Sequence, residues 1–426
     1  MLTGPDPRGQ NEHAACKSRL ACEIRSSRSR DGADGAITLM LEPTIQLLWN
    51  LVATDSVNPA LVPGGAGEEN IARLIAAEMR SIGMKVELTE VAPHRPNVIG
   101  VMEGEAPGRS LMFCGHMDTV GVGGMAAPFT PLAREGRLYG RGSQDMKGGV
   151  AAMLGAARQL ASSGGLPAGK LIVAAVADEE HASLGAQEVA RRWRADGAVV
   201  TEPTHLEIAL GHRGFFWVEV RTRGIAAHGS KPLEGRDAIF RMGRVLARLE
   251  KLDRELQAMP PHPIQGTASL HASLISGGQE LSSYPDKCLL QFERRTTSAE
   301  PDGVALREIH DILRTLKEED EEFEASAELI LERSAFEIPS EHALPKLLRA
   351  AVTRVGRVPR EGGVTFWTDA AILARAGIPT VIFGPGGAGL HSREEFVYVE
   401  DVLACRDVLA ELARVFCAGK ATLHAS

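Results

Sequence analysis

Most of this chain alternates short apolar segments with helical repeats of apolar residues, and this alternation constrains the fold more than any other feature. Strands that are apolar throughout and alternate with helices form largely parallel sheets with both faces covered. The alternation therefore predicts an α/β domain. Before residue 214 its predicted strands are 85–91, 97–103, 110–116, 171–177 and 197–201, and its predicted helices are 42–54, 69–82, 147–162 and 186–194. After residue 334 the predicted elements are helices at 344–355, 369–376 and 402–417 and a strand at 379–383.

A different order of elements occupies residues 214–334 and divides the α/β domain into two parts, 41–213 and 335–426. The order β-α-β-β-α-β is that of ferredoxin-like α+β units. The sequence therefore predicts a small α+β domain inserted into the α/β domain. Its predicted elements are a strand at 215–223, a helix at 237–256, strands at 267–274 and 287–294, a helix at 301–317 and a strand at 324–331.

Length and charge limit the number of domains and the kinds of partner. A chain of 426 residues exceeds the roughly 250–300 residues at which single cores stop growing, so more than one domain is expected. A net charge of −8 provides no cationic surface for nucleic acid or anionic lipid, and the longest apolar run, 171–177, is too short to span a membrane. Residues 1–40 are rich in Arg, Ser and Gly without apolar periodicity, which predicts a disordered tail.

Cysteine usage indicates a reducing compartment. Six cysteines are scattered along the chain without a CxxC pair, so the sequence predicts neither disulfides nor a cysteine metal site. Cys114 lies two residues before His116 in a predicted strand, where a buried core thiol is favoured over a nucleophile. A cytoplasmic location is therefore expected.

Acidic and imidazole residues follow several predicted strands or lie in glycine-rich segments. Because the C-terminal ends of parallel strands meet at one edge of a sheet, these side chains are expected to converge. Imidazole and carboxylate donors together form the kind of ligand set that holds two zinc or cobalt ions. Taken singly, Asp145 could instead cap the helix that follows, and the acids at 178–180 could form a solvated turn. The candidate ligands are His116, Asp145, Glu180, Glu202 and His391.

Two further acids lie beside these candidate ligands. Asp118 follows His116 by two residues, a spacing that lets a carboxylate accept the free N–H of a metal-bound imidazole. Glu179 directly precedes Glu180, and consecutive side chains point in different directions. One carboxylate of this pair can therefore bind a metal while the other acts as a general base on water.

The segments around these residues resemble the motifs of one enzyme family. Over residues 42–418 the chain resembles the M20 family of metallopeptidases, which includes acetylornithine deacetylase, succinyl-diaminopimelate desuccinylase, aminoacylase and glutamate carboxypeptidase. The motifs that carry the resemblance are CGHMDT at 114–119, GRGSQDMKG at 140–148, DEE at 178–180, TEPT at 201–204, AHGSKP at 227–232 and LHSREEF at 390–396.

The resemblance implies a catalytic domain of the zinc-exopeptidase type and a role for each candidate residue. Asp118 would orient a ligand, and Glu179 would act as the general base and later protonate the leaving amine. Asp145 would bridge two zinc ions, for which cobalt could substitute. The remaining ligands would be His116 and Glu202 on one ion and Glu180 and His391 on the other.

By the same resemblance, the inserted domain would be a lid and the interface of a homodimer. His228 resembles the lid histidine that reaches the active site of the partner subunit and assists oxyanion stabilisation. Arg295 resembles the arginine that binds the substrate carboxylate, and Arg294 beside it is a competing candidate. His271 stands where the family often has asparagine, and Glu202 resembles the deacylase and carboxypeptidase branches more than the aminopeptidase branch.

These features predict a dinuclear metal-dependent hydrolase that cleaves the amide bond of a small N-acyl amino acid, as a deacetylase or desuccinylase does. A dipeptidase or carboxypeptidase of the same family is the alternative. A nucleotide-binding dehydrogenase is a weaker interpretation, because residues 384–389 match GxGxxG but no helical pattern follows them. A non-catalytic binding protein on the same fold is weaker still, because every expected catalytic residue is present.

Overall fold

The computed structural model describes residues 42–420, so the predicted tail at 1–40 lies outside the described residues. The described chain forms a mixed α/β fold with a large, mostly parallel sheet and a separate four-stranded sheet in the insertion, which confirms the predicted fold class. None of the helices in this part of the chain has the length and apolar character needed to cross a membrane.

Helices and strands alternate up to the insertion much as the periodicity predicts. The helices are α1 (Pro43–Ala53), α2 (Glu69–Ser81), α3 (Gly148–Ser162) and α4 (Leu184–Arg192). The strands are β1 (Lys85–Ala92), β2 (Arg95–Glu103), β3 (Ser110–His116), β4 (Leu132–Arg134), β5 (Arg137–Tyr139), β6 (Lys170–Val176), β7 (Gly197–Val200) and β8 (Ile208–His212).

The insertion has the predicted β-α-β-β-α-β order and a hydrophobic core of its own. Its strands form an antiparallel sheet in the order β10-β11-β9-β12. Phe216 and Val218 of β9 face the two helices, whereas Phe215 and Trp217 lie on the opposite face of the sheet. The elements are β9 (Gly214–Arg223), α5 (Ala238–Ala258), β10 (Ser269–Gly277), β11 (Lys287–Thr296), α6 (Val304–Glu319) and β12 (Glu324–Arg333).

After the insertion the chain returns to the large sheet. Its last helix packs against α3, which places both ends of the α/β domain in one core. The elements of this part are β13 (Phe336–Glu337), α7 (Ala343–Arg354), β14 (Glu361–Val364), α8 (Ala370–Arg375), β15 (Thr380–Ile382), β16 (Gly387–Ala388), β17 (Phe396–Tyr398) and α9 (Val399–Cys417).

The large sheet is parallel at its centre and largely antiparallel at its margins. Its strand order is β1-β2-β6-β3-β7-β15-β8-β13, with β14 beside β8. The strands β6, β3, β7 and β15 are mutually parallel. Helices cover both faces, so these strands are buried on both sides and consist almost entirely of apolar residues. Cys114 of β3 is fully buried in this core, as predicted.

Several strands were not predicted from the sequence. The short strands β4, β5, β16 and β17 form a small sheet in the order β16-β17-β5-β4, and β8, β13 and β14 extend the large sheet. None of these seven strands is longer than five residues. Segments this short contain too few positions for an alternating pattern to be recognised.

The parallel strands determine where the candidate ligands lie. His116 is the last residue of β3, the acids at 178–180 follow β6, Glu202 follows β7, and the glycine-rich loop to His391 follows β15. Because these four strands run in the same direction, their C-terminal ends lie along one edge of the sheet. The fold therefore brings these segments to one edge.

Candidate metal centre

Asp145 lies between the two imidazoles of the candidate ligand set. Its Oδ1 is 3.1 Å from Nε2 of His116, and its Oδ2 is 3.3 Å from Nε2 of His391. Its side chain therefore faces two bases with one oxygen each, which is the arrangement of a carboxylate that bridges two cations. The helix α3 begins at Gly148 without a side-chain cap, so Asp145 is not used as a helix cap.

Two more carboxylates complete the arrangement around the imidazoles. Oε1 of Glu202 lies 3.8 Å from Nε2 of His116, and Oε2 of Glu180 lies 3.4 Å from Nε2 of His391. Each imidazole thus has its own carboxylate neighbour and shares Asp145 with the other imidazole. The structure brings all five predicted ligands together.

The donor chemistry of this cluster fits divalent transition metals. Potential ligand atoms of His116, Glu179 and Glu202, and separately of His116, Asp145 and Glu180, lie within 4.8 Å of one another. Oε1 of Glu180 is buried and accepts no hydrogen bond from the described chain. Two imidazoles and several carboxylates suit zinc and cobalt better than magnesium or calcium, which prefer oxygen ligands alone.

The protonation equilibria reflect the concentration of acids at the sheet edge. Burial, reinforced by neighbouring carboxylates, raises the pKa of Glu179 and Glu202 well above the usual range. Burial also opposes ionisation of Asp145, but hydrogen bonds from the two imidazoles outweigh it and its pKa is lowered. Hydrogen bonds to Asp145 and Glu180 raise the pKa of His391 to about 10. The cluster therefore holds more carboxyl groups than its two imidazoles can compensate if all of them are ionised.

Asp118 lies beneath the cluster and binds the turn that carries the acids. Its carboxylate accepts hydrogen bonds from the backbone N–H groups of Glu179 at 3.1 Å and Glu180 at 3.3 Å, and from Nδ2 of Asn58 at 2.7 Å. Nδ1 of His116 lies 3.0 Å from the carbonyl oxygen of Asp118 and 3.6 Å from its carboxylate. Asp118 thus contacts His116 mainly through its backbone and the acidic turn through its side chain.

A buried ion-pair network behind this turn was not predicted from the sequence. Arg95 donates to both oxygens of Glu68, at 2.8 and 2.5 Å, and to Oδ1 of Asp178 at 2.7 Å. Asn58 donates to Asp178 at 3.0 Å and so links this network to Asp118. The participants are far apart in sequence, and no spacing pattern indicates that they meet.

Glu395 holds the loop that carries Asp145. Its buried carboxylate accepts hydrogen bonds from the backbone N–H groups of Gly142 at 2.9 Å, Gln144 at 2.9 Å and Asp145 at 3.1 Å. It also forms an ion pair with Arg141 at 2.6 Å. Gly142 has φ of 78°, a conformation that glycine adopts without strain. Glu395 lies in the motif around His391, which was the one sequence signal that could have identified it.

Asp369 is a further buried acid close to the cluster. It directly precedes α8 and is 2% exposed, and its Oδ1 has no hydrogen-bond partner in the described chain. Burial raises its pKa to about 7, although the positive charge of His116 opposes the shift. No motif recognised in the sequence contained this residue.

His228 and Arg295 of the lid do not belong to the hydrogen-bonded cluster of candidate ligands. His228 is exposed, its Nδ1 lies 2.8 Å from Oγ of Ser230, and its backbone pairs with Ser283. No hydrogen bond or ion pair in the described part of the chain joins His228 or Arg295 to the five candidate ligands.

Arg294 and Arg295 lie in different environments. Arg294 is fully buried and pairs with Glu300 and Glu308 inside the lid. Arg295 points to the opposite face of the sheet, where it donates to Glu293 at 2.6 Å and remains partly exposed. Only Arg295 of the two is accessible to a substrate.

Comparisons with known proteins identify the family of this chain. The model of peptidase family M20/M25/M40 matches residues 112–415. An acetylornithine deacetylase from Myxococcus xanthus is 31% identical over 364 residues, which cover 82% of this chain and 91% of the relative. An N-formyl-4-amino-5-aminomethyl-2-methylpyrimidine deformylase from Bacillus subtilis is 28% identical, over 89% of this chain and 96% of the relative.

The fold also has solved counterparts. The crystal structure of aminopeptidase PepT from Bacillus cereus superimposes with a TM-score of 0.73 at 21% identity, covering 88% of this chain and 98% of that chain. This likeness confirms the architecture, and the sequence matches confirm the resemblance seen in the motifs. The chain therefore belongs to peptidase family M20/M25/M40 and is a hydrolase of carbon–nitrogen bonds.

Proposed function

We propose that this protein is a dinuclear metal-dependent deacylase that hydrolyses the amide bond of a small N-acyl amino acid. The position of Asp145 between His116 and His391 carries the proposal, because a carboxylate shared by two imidazoles suits a pair of cations. His116 and Glu202 would hold one zinc ion, and Glu180 and His391 the other, with Asp145 as the bridge. Cobalt is expected to substitute for zinc.

Bound cations would supply Lewis acidity, lowering the pKa of a water molecule and stabilising the oxyanion. Glu179 is the proposed general base, which takes the proton from the attacking water and passes it to the leaving nitrogen. Its backbone is held by Asp118, so its carboxylate starts from a defined position. Two of the relatives are named as a deacetylase and a deformylase, which supports hydrolysis of an N-acyl substrate.

Arg295 is the proposed binding residue for the carboxylate of the substrate. It is the partly exposed member of the Arg294–Arg295 pair, and a guanidinium group can bind a carboxylate through two parallel hydrogen bonds. A dipeptide also ends in a carboxylate. A dipeptidase or carboxypeptidase is therefore the second candidate function, and the match to the peptidase family model supports it.

We also propose a homodimer that forms through the lid, with His228 completing the site of the partner subunit. The lid exposes apolar side chains on its edge strand β10 and on the adjoining end of α5. Leu274 is 66% exposed, Ile275 is 56% exposed and Phe240 is 78% exposed. An apolar surface of this kind next to an unpaired strand edge favours association with a second copy.

A cytoplasmic location is supported by the buried, unpaired cysteines at 114, 288, 405 and 417.

Hydrolysis assays with and without metal test the proposed function. The zinc-loaded protein is expected to hydrolyse N-acetyl, N-formyl or N-succinyl amino acids faster than dipeptides. Removal of metal by a chelator is expected to abolish this activity, and zinc or cobalt should restore it. Turnover of dipeptides alone would favour the peptidase, and full activity in metal-free protein would refute the dinuclear site.

A further inference from the structure

A row of side chains crosses three strands at the end of the lid sheet that joins the α/β domain. Phe215 of β9 lies directly opposite Arg295 of β11 and Arg333 of β12. Directly paired residues place their side chains on the same face of a sheet. Both arginines therefore flank Phe215 on the face away from the lid helices.

These two guanidinium groups stack on aromatic rings and have little acid to neutralise them. The guanidinium carbon of Arg295 lies 5.1 Å from the ring centre of Phe215, and that of Arg333 lies 5.1 Å from the ring centre of Trp367. Glu293 accepts a hydrogen bond from Arg295 and another from Nε1 of Trp217. Arg333 forms no ion pair with a carboxylate anywhere in residues 42–420.

A third arginine adds positive charge at this end of the lid sheet. Arg213 lies between β8 and β9 and donates from Nη1 to the carbonyl of Thr267 at 3.2 Å. Its Nε is buried and has no hydrogen-bond partner within the described chain. Burial lowers its pKa, and the positive charge of Arg295 lowers it further. Within the described chain these three guanidinium groups form a single ion pair, that of Arg295 with Glu293, so the row keeps a net positive charge.

This positive charge lies on the side of the metal centre. Trp367, on which Arg333 stacks, is followed by Thr368, whose N–H donates to Nε2 of His212 in β8. The next residue, Asp369, is within electrostatic reach of both His116 and Arg333. Arg333 therefore lies on the side of the lid that faces Asp369 and the cluster, and Phe215 and Arg295 continue the row from it.

We propose that this arginine row selects substrates with two carboxylates, Arg295 binding the α-carboxylate and Arg333 the second carboxylate. This inference rests on the proposed deacylase function and specifies its substrate class. The second carboxylate could belong to the amino-acid side chain or to the acyl group, since both extend from the amide bond. A cationic side chain such as that of ornithine would be repelled by the same charges.

Matched pairs of substrates test the inference and distinguish the two sources of the second carboxylate. One pair is N-acetylglutamate and N-acetylglutamine, and the other is N-succinylalanine and its neutral amide, N-succinamoylalanine. The zinc-loaded protein is expected to show about tenfold or greater kcat/KM for the charged member of one pair, because a second charge-assisted contact forms. Arg333→Gln should bring this ratio to about one, and Arg333→Lys should retain part of it.

Arg221→Gln is the matched control, because Arg221 lies on the same face of β9 as Phe215, six residues further along the strand, and pairs with Glu219. It should leave both ratios unchanged. Equal kcat/KM for both members of both pairs in the unmodified protein would overturn the inference. So would a charge preference that survives in Arg333→Gln.

A binding measurement separates failure of this inference from failure of the proposed function. Titration calorimetry with the zinc-loaded protein is expected to show about tenfold tighter binding of glutarate than of its monoamide, and equal binding after Arg333→Gln. That result without hydrolysis of any N-acyl amino acid would support the arginine row and refute the deacylase. Hydrolysis of neutral N-acyl amino acids without a preference for glutarate would support the deacylase and refute the arginine row.

Discussion

Replacing Arg95 with methionine is expected to destabilise the α/β domain, because Arg95 compensates two buried carboxylates. Arg95 makes three short hydrogen bonds to Glu68 and Asp178, and both acids are fully buried. Removing one partner of a buried ion pair costs about 3–5 kcal/mol. Each acid retains one other donor, the N–H of Asp178 for Glu68 and Asn58 for Asp178, so we expect a loss of about 4 kcal/mol.

The loss of stability is expected to depend on pH. Burial raises the pKa of Glu68 above its usual value, and the hydrogen bond from Arg95 counteracts this shift. Without Arg95 the folded-state pKa rises further, so the folded protein binds a proton more tightly than the unfolded chain. Stability then falls as the pH rises from the unfolded towards the folded pKa. Arg95→Met should therefore be less destabilised, relative to the unmodified protein, at about pH 5 than at about pH 8.

Urea unfolding followed by far-ultraviolet circular dichroism measures this effect. Arg73→Met is the matched control, since Arg73 is 66% exposed and pairs with Glu69 on the surface of α2. Its removal should change the free energy of unfolding very little. Adding Glu68→Gln to Arg95→Met should recover part of the lost stability. A loss below about 1 kcal/mol in Arg95→Met would refute the reasoning, because it would mean that the buried acids do not need this cation.

Four further predictions concern the site. Glu179→Gln should lower kcat by about 10²–10⁴-fold with metal content unchanged by mass spectrometry, and a near-normal kcat would exclude the base role. Glu395→Gln should weaken metal binding about 10–100-fold in a competition titration, because one of the two oxygens that accept hydrogen bonds from the loop of Asp145 becomes an NH2 donor. Arg295→Gln should raise KM about tenfold or more, whereas Arg294→Gln should mainly lower the melting temperature. His228→Ala should lower kcat without changing the melting temperature, and an unchanged kcat would remove it from the site.

The fold was predictable where burial imposes a pattern on the residues. The strand β6 is buried on both faces and is therefore apolar throughout, and the alternation in β9 shows that one face meets the lid helices. The four strands of the small sheet around β5 were not predictable, because two or three residues cannot display a period. Their pairing depends on tertiary contacts such as that of Phe396 with Tyr139.

Four of the five candidate ligands were predictable because they lie at or after the ends of parallel strands, which meet at a common edge of the sheet. The fifth, Asp145, lies in the glycine-rich segment after β5 and was indicated by its motif. By itself, therefore, the sequence determined the fold class, the inserted domain, the family motifs and the candidate ligands. Only the tertiary structure showed that Arg95 joins Glu68 to Asp178, that Arg294 pairs with acids of the lid, and that Arg333 stacks on Trp367 and forms no ion pair within residues 42–420. The physical reason is that a charge is neutralised by whatever lies near it in space, and long-range folding sets those distances without leaving a local pattern.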